Sequence, residues 1–152
     1  MSTAMTKAER EAFLAGVHVG VLSLAEPRRA PLTVPIWYRY TPGGELAFMT
    51  GRDSRKGRLL GVGTRVALCA QTEHAPYKYV SVDGVVTAID AADVERDTRP
   101  MAHRYLGREV GDQYVLALAE ETETSILVHV RPERWSSVDY AKQFGGRPVA
   151  SA

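Results

Sequence analysis

Between Phe48 and Leu60 the chain reads Phe-Met-Thr-Gly-Arg-Asp-Ser-Arg-Lys-Gly-Arg-Leu-Leu, a passage from strand through a tight loop into a helix start. Hydroxyls at Thr50 and Ser54 stand among four cations, Arg52, Arg55, Lys56 and Arg58. That combination suits a phosphate. The first amides of a helix lack internal acceptors and carry partial positive charge from the dipole, and the Ser54 hydroxyl adds a donor. Arg55 can supply a two-bond fork and Lys56 a compact point charge. The same cations also read as the solvated face of a surface helix. Cations at a helix N-terminus lie on the unfavourable side of the dipole, so such a cluster gains stability only when an anion arrives.

Other chemical patterns are sparse. His18, His74, His103 and His129 lie far apart and form neither an i, i+4 pair nor a Cys-His set, so no metal site is expected. No Gly-x-Ser-x-Gly elbow and no Gly-x-x-x-x-Gly-Lys phosphate loop occurs, and Gly61-Val62-Gly63 closes a helix rather than opening one. Glu120, Glu121 and Glu123 read as a solvated acidic rim. Cys69 is the only cysteine, lies in the apolar run Val66 to Ala70, and reads as a buried inert thiol.

These residues need a frame. A chain of 152 residues, 45% hydrophobic, fits a single domain over residues 1–145 with a small, polar, mobile tail at 146–152. Nineteen Lys and Arg against 18 Asp and Glu leave a formal charge of +1, which gives no chain-wide field for nucleic acid or an anionic membrane. No apolar run approaches the ~20 residues of a membrane span, and Lys7, Glu9, Arg10 and Glu11 occupy the place of a signal-peptide core. A soluble cytoplasmic protein is expected.

Thr6-Lys7-Ala8-Glu9 is a capping box for a helix to about Ala15. Strands are expected over Val17 to Leu24, Leu32 to Tyr40, Glu45 to Thr50, Arg65 to Gln71, Tyr77 to Ala88 and Thr124 to His129. Ser54 caps a short helix over Arg55 to Val62. Asp90 caps another from Ala91 to Leu106, interrupted at Gly107 and Gly111 before a helical pattern over Asp112 to Glu121. Six mainly antiparallel strands with three or four short helices argue for a closed or nearly closed barrel, with an open α+β sheet as the alternative. Pro35 removes a ladder donor inside the second strand, so it belongs at an edge, a bulge or a ligand contact.

On these residues the chain resembles the pyridoxamine 5'-phosphate oxidase-like flavin and deazaflavin oxidoreductases. The resemblance spans about Val17 to Ala88: Phe48-Met49-Thr50, then Ser54-Arg55-Lys56, a helix, and a strand opening at Arg65-Val66. It implies a mainly β fold, a six-stranded split β-barrel of the FMN-binding type. It also implies that Thr50, Ser54, Arg55 and Lys56 bind the cofactor phosphate while Pro35, Ile36 and Trp37 line the ring system, with Met49 and Arg58 as further cofactor-binding residues. The same resemblance implies ring or ribityl contacts at Cys69, Ala70 and Gln71 and at Lys78 and Tyr79. The residues themselves leave Trp37 equally readable as a packing aromatic and Tyr79 as an ordinary strand residue.

The segment Arg134-Trp135-Ser136-Ser137-Val138-Asp139-Tyr140 does not reproduce the paired arginines of true pyridoxamine phosphate oxidases, and Val34-Pro35 stands where a basic residue is expected. The likeness is therefore closer to the F420- and FMN-dependent reductases. It implies a homodimer that transfers a hydride between bound F420, the preferred cofactor, or FMN and a small organic substrate, with no catalytic side chain of its own. The alternatives are a flavin or haem carrier without turnover, and a basic surface module.

Overall fold

The computed structural model describes residues 2–145; the expected tail at 146–152 lies outside the described residues. The chain runs α1 (Lys7–Ala15), β1 (Gly20–Leu24), β2 (Leu32–Ile36), β3 (Tyr38–Tyr40), β4 (Leu46–Gly51), α2 (Arg55–Leu59), β5 (Arg65–Gln71) and β6 (Lys78–Ala91). A π-helical turn (Val94–Thr98), α3 (Arg99–Leu106), α4 (Arg108–Ala117), α5 (Ala119–Thr122), β7 (Ser125–Asp139) and a 3-10 turn (Tyr140–Phe144) complete it. Two of the three expected caps are present. Thr6 and Glu9 form the reciprocal box of α1, and Ser54 accepts from the Gly57 amide at α2.

The strands form one antiparallel sheet in the order β2-β1-β5-β6-β7-β4-β3. Seven strands stand where six were expected, because the segment Leu32 to Tyr40 divides at Trp37. Its first part pairs with β1 (Val34 opposite Leu22) and its second with β4 (Tyr38 opposite Phe48). The two edges of the sheet are thus joined by one covalent link at Trp37, with no hydrogen-bonded ladder between them. The sheet curls without closing. Pro35 lies on the edge strand β2, where its missing N–H leaves no bond unmade.

The spine is the long ribbon of β6 and β7, paired from Lys78 opposite Asp139 to Ala91 opposite Ile126. The last strand, expected over Thr124 to His129, runs on to Asp139 as β7. The structure carries Pro132 through a bulge opposite Gly84, where a Cβ would come within 2.6 Å of the Arg131 carbonyl oxygen. Irregularities at Asp83/Gly84 and Val86/Ala88 bend the ribbon, so that one half carries β5, β1 and β2 and the other carries β4 and β3. Leu22, Leu68, Val80, Val82, Phe48 and Val128 fill the interior, and Leu14 of α1 is fully buried among them.

The helices depart from expectation in three places. Among the described residues five α-helices form where three or four were expected. Asp90 is in β6, opposite Leu127, and the cap falls to Asp93, which accepts from the Arg96 amide at 2.8 Å. Gly107, at φ +82°, does end α3, but Gly111 is buried inside α4 and marks a close helix approach. No helix of the described residues is long and apolar enough to cross a membrane.

Candidate functional site

A cavity of about 470 Å³ opens beside the Trp37 seam. Its floor is the seam itself, Pro35, Ile36 and Trp37, continued by Met49 and Thr50 of β4. Gly51, Ser54 and Lys56 form one end. Thr98 and Met101 of the π turn and α3, and Tyr114, Leu118 and Glu121 at helical spacing along α4 and α5, form the roof. Val19 and Ser125 complete the wall. The end at Gly51, Ser54 and Lys56 is polar and carries the cation, and the rest is apolar and aromatic but for Thr98, Glu121 and Ser125, an arrangement that suits a flat molecule with an anionic tail.

The polar end is built by Ser54. Its hydroxyl donates to the Gly51 carbonyl at 2.7 Å and accepts from the Gly57 amide at 3.0 Å. The Thr50 hydroxyl lies 3.0 Å away and, with the Ser54 proton already placed, is the donor of that pair. Gly57 cannot carry a side chain, since its Cβ would stand 2.1 Å from the Gly51 carbonyl oxygen. Ser54 and Thr50 thus fold the loop tightly, and among the described residues Lys56 is the cation that lines the cavity.

The aromatic end is locked to the roof. Trp37 stacks on Tyr105 at 5.0 Å between centroids, with planes 4° apart, and meets Tyr114 at 5.2 Å in a tilted contact. The Tyr105 hydroxyl accepts from the Tyr38 amide at 3.1 Å and donates to the His18 carbonyl at 2.6 Å. Arg104 donates to the Ala15 and Gly16 carbonyls at 2.9 and 2.8 Å, so α3 is pinned to the start of the sheet. Burial, then the nearby Glu121 carboxylate, pushes the Tyr114 phenol up.

Of the residues singled out in the sequence, Pro35, Ile36, Trp37, Met49, Thr50, Ser54 and Lys56 converge on this cavity. Others lie elsewhere. Arg55 forks onto Glu26, and the Arg58 Nε donates to the Asp53 carbonyl at 2.9 Å. Ala70 is wholly buried in the core and Gln71 is exposed at the end of β5. Lys78 stands 3.8 Å from Asp139, and Tyr79 lies between Gln71 and Val138 in the ladder. Cys69 is half-buried rather than buried, and desolvation holds its thiol above the usual range. Among the described residues no group of His, Cys, Asp and Glu gathers that could hold a metal ion.

The roof was missed from sequence. The helical pattern over Asp112 to Glu121, which carries Tyr114 and Leu118, was legible, but nothing in it said that this helix covers the cavity. Thr98, Met101 and Val19 carried no signal of their own.

Residues 6–139 match the family model of pyridoxamine 5'-phosphate oxidase, most of the chain. The chain belongs to that family. No curated protein matches it in sequence. Among solved structures, this pyridoxamine 5'-phosphate oxidase family member is similar to a conserved hypothetical protein of Mycobacterium tuberculosis, at a TM-score of 0.74 and 23% identity over 97% of this chain and 92% of that one. It is also similar to an F420 reductase, at 0.58 and 20% identity over 83% and 94%. A FAD binding protein of Mycobacterium smegmatis follows at 0.57 and 18% identity over 89% and 97%. At these identities the likeness shows the split-barrel fold of the pyridoxamine 5'-phosphate oxidase family, here with seven strands.

Proposed function

We propose that this chain is a cytoplasmic homodimeric oxidoreductase that holds a phosphorylated flavin-type cofactor in the cavity and passes a hydride between it and a small organic substrate. The observation that carries the reading is the convergence of Pro35, Ile36, Trp37, Met49, Thr50, Ser54 and Lys56, separated in sequence, on one cavity with a cationic end and an aromatic end. The F420 reductase and FAD-binding neighbours support a flavin-type ligand. F420 is the favoured cofactor and FMN the second, because Arg52 and Arg58, near Ser54 and Lys56 in sequence though outside the cavity lining, add basic charge that an acidic tail can meet.

The residues fit such a group. Lys56, with the loop closed by Thr50 and Ser54, would hold the phosphate. Ile36, Met49, Met101 and Trp37, the last stacked on Tyr105, would offer apolar surface to a planar ring. The cofactor, when bound, would supply the centre that gives or takes the hydride, so the chain's own work is binding, orientation and exclusion of water. Vitamin B6 oxidation is not the proposed activity. Trp135, on the segment where the substrate arginines of true oxidases would stand, lies under the Arg10 guanidinium, 4.9 Å from its ring centroid, and packs edge-on to Tyr40.

Titrations with F420, FMN and riboflavin test this reading. F420 and FMN are expected to bind and riboflavin, lacking the phosphate, to bind at least about tenfold more weakly. Lys56→Ala is expected to weaken the two phosphorylated ligands by about 1.5–3 kcal/mol while leaving riboflavin unchanged. Equal affinity for FMN and riboflavin would remove the phosphate assignment.

A further inference from the structure

Arg55 has the charge and the position in sequence to reach a phosphate, yet it is engaged elsewhere. Its Nε lies 2.7 Å from Oε2 of Glu26 and its Nη2 3.1 Å from Oε1, a parallel two-bond fork. Glu26 sits in the connection between β1 and β2, and its side chain is 12% exposed against 50% for Arg55. Arg29 reaches the same carboxylate with one contact of 3.4 Å. The Arg55 guanidinium is the main cause holding the Glu26 carboxyl below the usual carboxylate range.

The asymmetry in exposure decides which partner can leave. A carboxylate largely withdrawn from water loses heavily when its better partner is removed, and one long contact from an exposed arginine does not replace a fork. A phosphate arriving at Lys56 therefore competes with Glu26 for Arg55. The hydroxyls of Ser54 and Thr50 offer no compensation, because their protons are committed within the loop.

We propose that Glu26 is a specificity-determining residue that withholds Arg55 from the anion, so that the site grips the phosphate monoester through Lys56 and Glu26 sets how tightly it does so. This rests on the cavity being the site of a phosphorylated cofactor. A site with one committed cation discriminates in favour of ligands whose ring contributes most of the binding, and against small free phosphates that have no ring to offer.

The test is a set of FMN and riboflavin titrations on the full chain with Glu26→Gln, Arg55→Ala, the double variant and Lys56→Ala, with circular dichroism to check folding. Glu26→Gln is expected to tighten FMN about fivefold or more and to leave riboflavin unchanged, since it frees a charged fork without touching the ring pocket. Adding Arg55→Ala is expected to abolish that gain, while Arg55→Ala by itself changes FMN affinity less than about threefold, because the ligand does not use that arginine. FMN affinity unchanged or weaker in Glu26→Gln, with Lys56→Ala still selectively weakening FMN, overturns the proposal and leaves the phosphate site standing. An Arg55→Ala loss as large as that of Lys56→Ala overturns it independently, whether or not Glu26→Gln folds. If Lys56→Ala leaves the preference for FMN over riboflavin intact, the phosphate reading itself fails and the proposal falls with it.

Discussion

At the scale of single residues, the site depends on side chains that never touch it. Asp97 is fully buried at the end of the π turn, next to Thr98 of the roof. Burial alone pushes its carboxyl up, but the Arg96 fork, the Asp93 amide and the Arg39 guanidinium outweigh that and leave it below the usual range. Because its folded value is depressed, Asp97 contributes stability above its unfolded value, near ~3.9, and that contribution fades as pH falls through the folded value. Asp97→Asn is expected to destabilise the fold by about 1–3 kcal/mol at pH 7, with both arginines still able to reach water. Urea titrations at pH 7 and pH 3 should show the gap between variant and parent narrowing at the lower pH; a gap that holds constant would assign the loss to packing rather than charge.

At the scale of elements, the roof is one helical hairpin, and its geometry is set where α3 meets α4. A Cβ on Gly111 would lie 2.8 Å from His103 Cδ2 and 3.0 Å from the backbone of Ala102, so the helices are in near-backbone contact there. Asp112 then clasps the crossing from above, 2.6 Å from His103 Nε2 and 2.7 Å from Arg99 Nη1. Gly111→Ala is expected to cost about 1–3 kcal/mol through overpacking, and to push Tyr114 off Trp37. Ligand titration measures the second effect: FMN and riboflavin should weaken together, because the ring pocket and not the phosphate end has moved. Weakening of FMN alone would show that the hairpin acts at the polar end instead.

At the scale of the whole molecule, the curled sheet leaves one face without cover. Across β2, β1, β5, β6 and β7 the register aligns Pro35, Val21, Cys69, Ser81 and Ser136, a row of small side chains, with Val17 and Val19 exposed next to it. Val19 also lines the cavity, so the proposed homodimer would place a partner along one wall of the site. A stable dimer buries ~800 Å² on each partner, and a charge at the middle of such a face is costly. Val21→Glu is expected to give a monomer by sedimentation velocity and to weaken ligand binding without unfolding the chain. A monomeric parent at the same concentration would remove the second subunit from the account.

The amino-acid sequence by itself determined the local devices: the capping box at Thr6, the Ser54 cap, the positions of most strands, and the strand-loop-helix at Thr50 to Lys56. Each depends on residue types a few positions apart, where propensity and hydrogen-bonding geometry act directly. The division of the second strand at Trp37 was not legible, because a strand that changes partners has the same alternation on both sides of the break. The length of β7 was hidden for a related reason, since Pro132 is tolerated only through a bulge opposite Gly84, which lies far away in sequence. The partner of Arg55 was likewise beyond reach. The β1–β2 connection brings Glu26 to α2 across 29 positions, and only that tertiary contact decides that an arginine drawn toward a phosphate by its neighbours in sequence is held by a carboxylate in the fold.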